Sequence, residues 1–213
     1  MADIDNRTKI EAEFRNSLMP VFRSAQKSAA SGSDLNYTDL AVDIAGAAEE
    51  SIRKAHVAIF LLLMSQEWVD FSGMQLMADQ MAASYSSNAA AAIGKTVADN
   101  IRNDLASGTL PDVVFDVNRA DRIAQTEVTR AVTSGGKQAK SILASTGKKL
   151  IARWRVQEVS PGKPDDRVDD ICRPLNRLLE PEWRQIYNGM PPRHVNCRCY
   201  VDYIPSSELE QVK

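Results

Sequence analysis

Leu150-Ile151-Ala152-Arg153-Trp154-Arg155-Val156-Gln157 places Leu150, Ala152, Trp154 and Val156 on one side of an extended chain and Ile151, Arg153, Arg155 and Gln157 on the other. A period of two with β-favouring residues on the apolar side predicts a strand that buries one face. A second alternation closes the chain: Cys197, Cys199, Val201 and Tyr203 face against Arg198, Tyr200, Asp202 and Ile204. That spacing predicts a last strand carrying both thiols on one face. Everything upstream follows a helical period, so these two strands decide the fold class. It is α+β: a mainly helical N-terminal region, residues 1–110, followed by a small α+β domain with a short antiparallel sheet, residues 111–205, and a mobile tail, residues 206–213.

In the helical region, Ile10, Phe14, Leu18 and Val21 recur at helical spacing, with Pro20 as a kink or restart and Ser31-Gly32-Ser33 as the stop. A second helix is predicted from near Thr38 to about Trp68, with Leu40, Ile44, Ala48, Ile52, Ala55, Ile59 and Leu63 as its buried stripe. Met74, Met77 and Met81 predict a third helix with methionine as core filler, and an alanine-rich fourth runs from about Asn88 to Leu105. Leu110-Pro111-Asp112 marks the domain boundary. Beyond it, Asn118 is placed to cap a helix with Ala120, Ile123, Ala124, Ala131 and Val132 on its buried side, and Gly135-Gly136 is expected to end it. A short helix from Lys137 to Ser145 precedes the first strand. Pro161-Gly162-Lys163-Pro164 forms the turn after it, leading to a helical stretch with Leu175, Leu178 and Leu179 that Pro181 breaks.

The 213 residues are 44% apolar and carry a formal net charge of -2. Such a chain buries an ordinary core and is not a globally basic nucleic-acid or membrane binder. No apolar segment approaches the roughly 20 residues that span a bilayer, so no membrane anchor is expected. Met1 to Asn6 is polar, with no secretory signal behind it, which points to synthesis in a cytoplasm. A local basic run interrupts the acidic average: residues 128–157 hold no Asp or Glu but include Lys137, Lys140, Lys148, Lys149, Arg153 and Arg155. Those six are the candidate non-specific DNA contacts, against the plainer reading of a solvated face.

Only two histidines and three cysteines occur, and Cys172, His194, Cys197 and Cys199 account for most of them. One imidazole nitrogen and three sulfurs are the donor set of a closed structural zinc site. The single-residue spacing of Cys197 and Cys199 is tighter than the usual knuckle of about two to four residues. Reduced thiols buried beside a hydrogen-bonded histidine stand as the alternative, and a Cys/His nucleophile is a third reading without an evident orienting carboxylate. Asp165, Asp166, Asp169 and Asp170 lack the glycine and distal glutamate of a calcium loop and read as a solvated turn. No glycine-rich phosphate loop or His-Glu-x-x-His helix is present, so no enzymatic activity is expected.

Pro191-Pro192-Arg193-His194-Val195-Asn196-Cys197-Arg198-Cys199 resembles the signature that ends the phage Mu F-like head morphogenesis domain, found in minor head proteins of tailed bacteriophages. Arg119-Ala120-Asp121-Arg122-Ile123-Ala124-Gln125-Thr126-Glu127, followed by Ala131 and Gly135, is similar to that family's other motif, with Gln125 where an arginine is usual. Trp154 and Asp170-Ile171-Cys172 fall where the family has a tryptophan strand and an acid followed by cysteine. The resemblance covers about Asn118 to Tyr203. It implies a structural protein that binds the phage portal during head assembly, beside capsid and scaffold proteins, in the host cytoplasm and then in the virion interior. It also implies retention in the head, with contact to DNA for genome ejection. Glu127, Trp154 and Arg198 are then expected as internal struts, with Glu127 paired to Arg198 or Arg153. The readings from other classes are a nucleotide- or nucleic-acid-modifying enzyme domain and a zinc-ribbon nucleic-acid binder.

Overall fold

The computed structural model describes residues 2–66, 73–160, 163–164, 168–195, 197 and 199–206. In chain order the elements are α1 (Ala2–Ala30), α2 (Tyr37–Gln66), α3 (Met74–Ala106), α4 (Pro111–Val114), α5 (Val117–Ser145), β1 (Leu150–Arg155), β2 (Glu158–Ser160), β3 (Lys163–Pro164), a short 3-10 turn (Arg173–Leu175), α6 (Glu180–Ile186) and β4 (Tyr200–Pro205). The protein is therefore mainly helical, with a small α+β part built on the antiparallel pair β1–β4. It divides into two compact units, Met1–Ala55 with Asp79–Ala124, and His56–Ala78 with Gln125–Lys213. The Leu110-Pro111 boundary expected from the sequence lies within the first unit, at the break between α3 and α4.

The first unit is all helical. α1 buries Ile10, Phe14, Leu18, Phe22 and Ala25. It passes through Pro20 without stopping, because Pro20 and Asn16, whose carbonyl loses its amide partner, are both exposed, so that carbonyl is open to solvent. Asn36 caps α2, its Oδ1 accepting from the amides of Thr38 at 3.0 Å and Asp39 at 3.3 Å. The third and fourth helices expected from the sequence are one continuous α3, since nothing between Met74 and Ala106 removes an amide or forces a turn. Gly94 brings α3 against α2: a Cβ there would collide with the Ala41 carbonyl oxygen. Phe22 meets Phe115 edge-on at 5.8 Å. Lys54–Glu13 at 3.0 Å and Arg53–Asp79 at 3.1 Å are partly exposed, so each adds at most about 1 kcal/mol. The apolar stripes hold the unit. α5 opens on Asp116, whose Oδ1 accepts the Arg119 amide at 2.7 Å, while Asn118 donates to the same carboxylate. The cap is thus Asp116, not Asn118.

The second unit is arranged around the remainder of α5. The helix does not end at Gly135-Gly136; it runs on to Ser145. These glycines make room instead. A Cβ on Gly135 would lie 2.5 Å from the His56 carbonyl oxygen and 2.7 Å from Ile59 Cγ2 of α2, and one on Gly136 would lie 2.6 Å from Tyr203 Cε2 of β4. Of the expected methionine filler, Met74 is buried but Met77 is 40% exposed. β1 pairs with β4 so that Ala152 faces Tyr203, Arg153 faces Asp202 and Trp154 faces Val201. On its other edge Trp154 donates its amide to the Leu178 carbonyl at 2.9 Å and accepts from the Arg177 amide at 2.7 Å. Leu178 and Leu179 belong to this edge segment, not to a helix, and Pro181 starts α6 in its first turn, where a missing amide costs nothing. The strand expected from Cys197 begins at Tyr200; the thiols lie in the extended approach to it, with Cys197, Cys199, Val201 and Tyr203 all buried. Among residues 206–213 only Ser206 is described, its amide bonded to the Lys149 carbonyl at 2.9 Å. Pro161-Gly162 of the expected turn lies outside the described residues.

Two outcomes follow. Alanine in place of glycine inside a helix ordinarily stabilises by about 0.5–1 kcal/mol. Gly46→Ala in α2, where an added Cβ meets nothing within 4 Å, should show that gain. Gly135→Ala should instead lose about 1–2 kcal/mol, since the clash is with backbone and overpacking outweighs propensity. Urea midpoints of the two variants decide it. Secondly, burial pushes the His56 imidazole down to about 4, a shift that the Gln138 hydrogen bond only partly opposes. The unfolded chain then binds a proton between pH 6.5 and about 4 that the folded chain refuses, so stability falls as pH drops through this window, by on the order of 3 kcal/mol. His56→Gln should flatten that slope in pH-dependent denaturation.

Candidate metal centre

Cys172 is held by a tight turn. The Asp169 carboxylate accepts the Ile171 amide at 2.9 Å, its carbonyl accepts the Cys172 amide at 2.9 Å, and the Cys172 carbonyl then accepts the Leu175 amide at 3.0 Å. The facing loop, residues 191–199, is tied to this turn by Arg193. Its guanidinium donates to the Ile171 carbonyl and lies 4.8 Å from the Tyr187 ring centroid. A turn between the Cys197 amide and the His194 carbonyl, 3.2 Å, points imidazole and thiol to the same side. Below them, the buried Thr129 hydroxyl of α5 lies 2.7 Å from the Gln125 carbonyl and 3.3 Å from the Cys197 carbonyl, which pins the loop to the helix.

The result is a compact donor set. Ligand atoms of Cys172, His194 and Cys197 all lie within 4.8 Å of one another. Cys172 Sγ is 3.2 Å from His194 Nε2 and 4.0 Å from Cys197 Sγ, too far for a disulfide. A tetrahedral ion with metal–sulfur and metal–nitrogen bonds of about 2.3 and 2.0 Å sets its ligands about 3.8 Å (S to S) and about 3.5 Å (S to N) apart, so small adjustments would seat one. His194 Nδ1 faces the Val195 carbonyl at 2.9 Å, which places the proton on that nitrogen and leaves the Nε2 lone pair turned inward. Cys199 is 1% exposed and its thiol lies against the other sulfurs, but among the described residues the group whose ligand atoms are all mutually within 4.8 Å is Cys172, His194 and Cys197, without Cys199.

Charge explains why such a set wants a cation. The Cys197 thiol is pulled well down by hydrogen bonds from the Cys172 and Cys199 thiols, and by the backbone amides of Cys199 and Arg193 directed at its sulfur. Cys172 is pushed up first by its contact with Cys197, which the Cys199 contact partly opposes, and then by burial; Cys199 is pushed up by its contacts with both other thiols and by burial. Ionising one of these clustered thiols therefore opposes ionising its neighbours. A divalent cation would let the others ionise, and a Cys-Cys-His group of this kind can hold a metal ion. The contact of Cys172 with His194 makes a poor nucleophile by comparison: the thiol is fully buried, raised, and its imidazole is oriented by a carbonyl, not a carboxylate.

The other expected residues divide. Trp154 is fully buried, edge-on to Trp183 at 5.4 Å and to Tyr187 at 5.9 Å. Glu127 does pair with an arginine, but with Arg130 one turn along α5 at 2.7 Å, while Arg153 takes Asp202 in a two-pronged pair at 2.6 Å. Burial raises the Glu127 carboxyl, and Arg130 offsets part of that. Arg198 lies outside the described residues, as do Asp165 and Asp166; Asp169 caps the Cys172 turn and Asp170 is 98% exposed. In the basic run, Lys140 pairs with Glu180 at 2.7 Å and Arg155 with Glu158 at 3.7 Å, whereas Lys137, Lys148 and Lys149 are exposed. The sequence reading missed Arg193, Thr129 and Asp169 as the residues that position the cluster. Their neighbours in sequence were the only signal.

No family model, no curated protein and no solved structure matches the chain.

Trp154→Ala should cost about 3–5 kcal/mol, as expected for a fully buried indole, whereas Arg153→Ala should cost no more than about 1 kcal/mol because its pair is one-third exposed. Thermal or urea denaturation of the two variants measures the contrast.

Proposed function

We propose that this chain is a structural head-assembly protein of a tailed bacteriophage, a minor head protein that docks on the portal, and that its C-terminal fold is closed by a structural zinc ion. One observation carries this reading. The segment with Cys172, the loop from Pro191 to Cys199 and the α5 helix that continues the Arg119–Glu127 motif converge on a single buried Cys/His cluster. The resemblance to the Mu F-like domain rests on those same segments, and their convergence gives them one physical task. The four candidate donors come from loops that Arg193 and Thr129 brace, and no donor except His194 reaches solvent. Closed sites of this kind stabilise a fold, whereas catalytic sites keep a coordination position open.

Zinc when bound supplies folding free energy and neutralises the thiolates. Cys172, His194, Cys197 and Cys199 would hold it, with Arg193 and Thr129 keeping the two loops in place. Non-specific DNA contact would fall to the exposed Lys137 and Lys149, since Lys140, Arg153 and Arg155 are engaged by carboxylates.

The assembly role is tested by co-expressing the chain with the portal protein of its own phage genome. Co-purification as a stoichiometric complex supports docking; a chain that never associates with portal or procapsid, under conditions where it is folded, removes the proposal. For the metal, elemental analysis should find about one zinc per chain, and chelator or Cys199→Ser should lower the melting temperature together. Melting that is unchanged with and without chelator rules zinc out.

A further inference from the structure

A second site lies apart from the thiol cluster, in a recess of about 240 Å³ in the same unit. Lys137, Lys140, Ser141 and Ala144 recur at the spacing of one α5 face and form one wall. Glu180 and Arg184, one turn apart on α6, form the other. The floor is the cross-strand pair Ala152 and Tyr203. The recess exists because Ala144 and Ala152 stand where longer side chains would fill it, and because Gly136 lets the Tyr203 ring approach α5 closely.

Its charge is organised in advance. The Glu180 carboxylate accepts from Lys140 at 2.7 Å and from Arg184 at 3.0 and 3.3 Å, holding both cationic heads at the recess while leaving each with further donors. With Lys137 added, three cations against one carboxylate leave a net positive charge of two. The lone carboxylate is already engaged, so the polar groups that remain for a ligand are two ammoniums, a guanidinium and the Ser141 and Tyr203 hydroxyls, set around a largely apolar lining that includes Ala144, Ala152 and Met190. A phosphodiester carries a single charge and a chain on both sides, whereas a terminal phosphoryl group carries about -1.5 to -2 at neutral pH and enters a recess end-on.

We propose that the recess between α5 and α6 binds the terminal phosphate of a phosphomonoester, with Lys137, Lys140 and Arg184 on its oxygens and the small body of the ligand over Ala144 and Ala152. The ester is either a free small metabolite or the phosphorylated end of a nucleic acid strand.

The test uses the isotope-labelled full chain, titrated by nuclear magnetic resonance with glycerol phosphate, inorganic phosphate, glutarate, and a short oligonucleotide with or without an end phosphate. Saturable shifts at the Ser141, Ala144 and Ala152 amides are expected with glycerol phosphate and inorganic phosphate. Lys137→Ala, at an exposed position, should weaken them about tenfold, as for loss of one charge-assisted hydrogen bond. Ala144→Leu, also exposed and favourable to helix, should abolish them with the melting temperature unchanged. An oligonucleotide that binds more tightly than glycerol phosphate, and only when end-phosphorylated, identifies the nucleic acid as the source; equal or weaker binding identifies the free ester. The assignment is overturned by the absence of saturable shifts, by glutarate binding as well as phosphate, or by Lys137→Ala and Ala144→Leu leaving affinity untouched.

Discussion

The second unit depends on two successive glycines in the middle of an uninterrupted helix. Gly135 lets the α2 backbone at His56 approach α5, and Gly136 lets the Tyr203 ring of β4 approach it from a direction about 100° further round. Each glycine costs α5 roughly 1 kcal/mol of helix propensity. That cost is offset by burial that no larger residue would permit, including Ile59 and Tyr203. Because the helix does not break, its faces keep fixed angular relations. The same rod presents Thr129 to the Cys197 carbonyl, the glycines to α2 and β4, and Lys140 to Glu180. A helix ending at Gly135 would leave both the thiol loop and the sheet without a common support.

On that support the thiol loop faces a problem of charge. Three thiols are packed out of water beside a part-exposed imidazole, and the hydrogen bonds that draw Cys197 down are the ones that push Cys172 and Cys199 up. Arg193 lies close enough to lower Cys172, but it is anchored to Ile171 and Tyr187. It serves as a brace between the two loops more than as a counterion. A cation at the centre of the donor set would resolve the conflict; the loop is held besides by Thr129, Arg193 and the burial of its thiols.

Much of this was legible in the sequence where a local period coincided with tertiary demand. The alternation at Leu150–Gln157 and the thiol alternation toward Tyr203 located both paired strands, and the Cys/His donor set was readable from scarcity alone. What was not legible depended on partners distant in the chain. Gly135-Gly136 has the composition of a helix stop and acts as a close-approach site, and no local signal separates the two; only the presence of α2 and Tyr203 does. Pro20 and Pro181 are equally ambiguous. One is tolerated because its orphaned carbonyl faces water, and the other starts a helix that it was expected to end.

The charged residues show the same limit from another side. A run without Asp or Glu reads as a basic face, but fold topology brings carboxylates from far along the chain: Asp202 across the sheet to Arg153, and Glu180 across to Lys140. Proximity in sequence would have sufficed for Glu127, whose partner is Arg130 on the next turn. The two long-range pairs differ in consequence. Asp202 engages Arg153 two-pronged, nitrogen for oxygen, and leaves little for a ligand. Glu180 divides one carboxylate between two cations, so it fixes their positions without cancelling them. The electrostatic character of this basic stretch therefore lies less in how many basic residues it carries than in which of them the fold supplies with carboxylates from far along the chain.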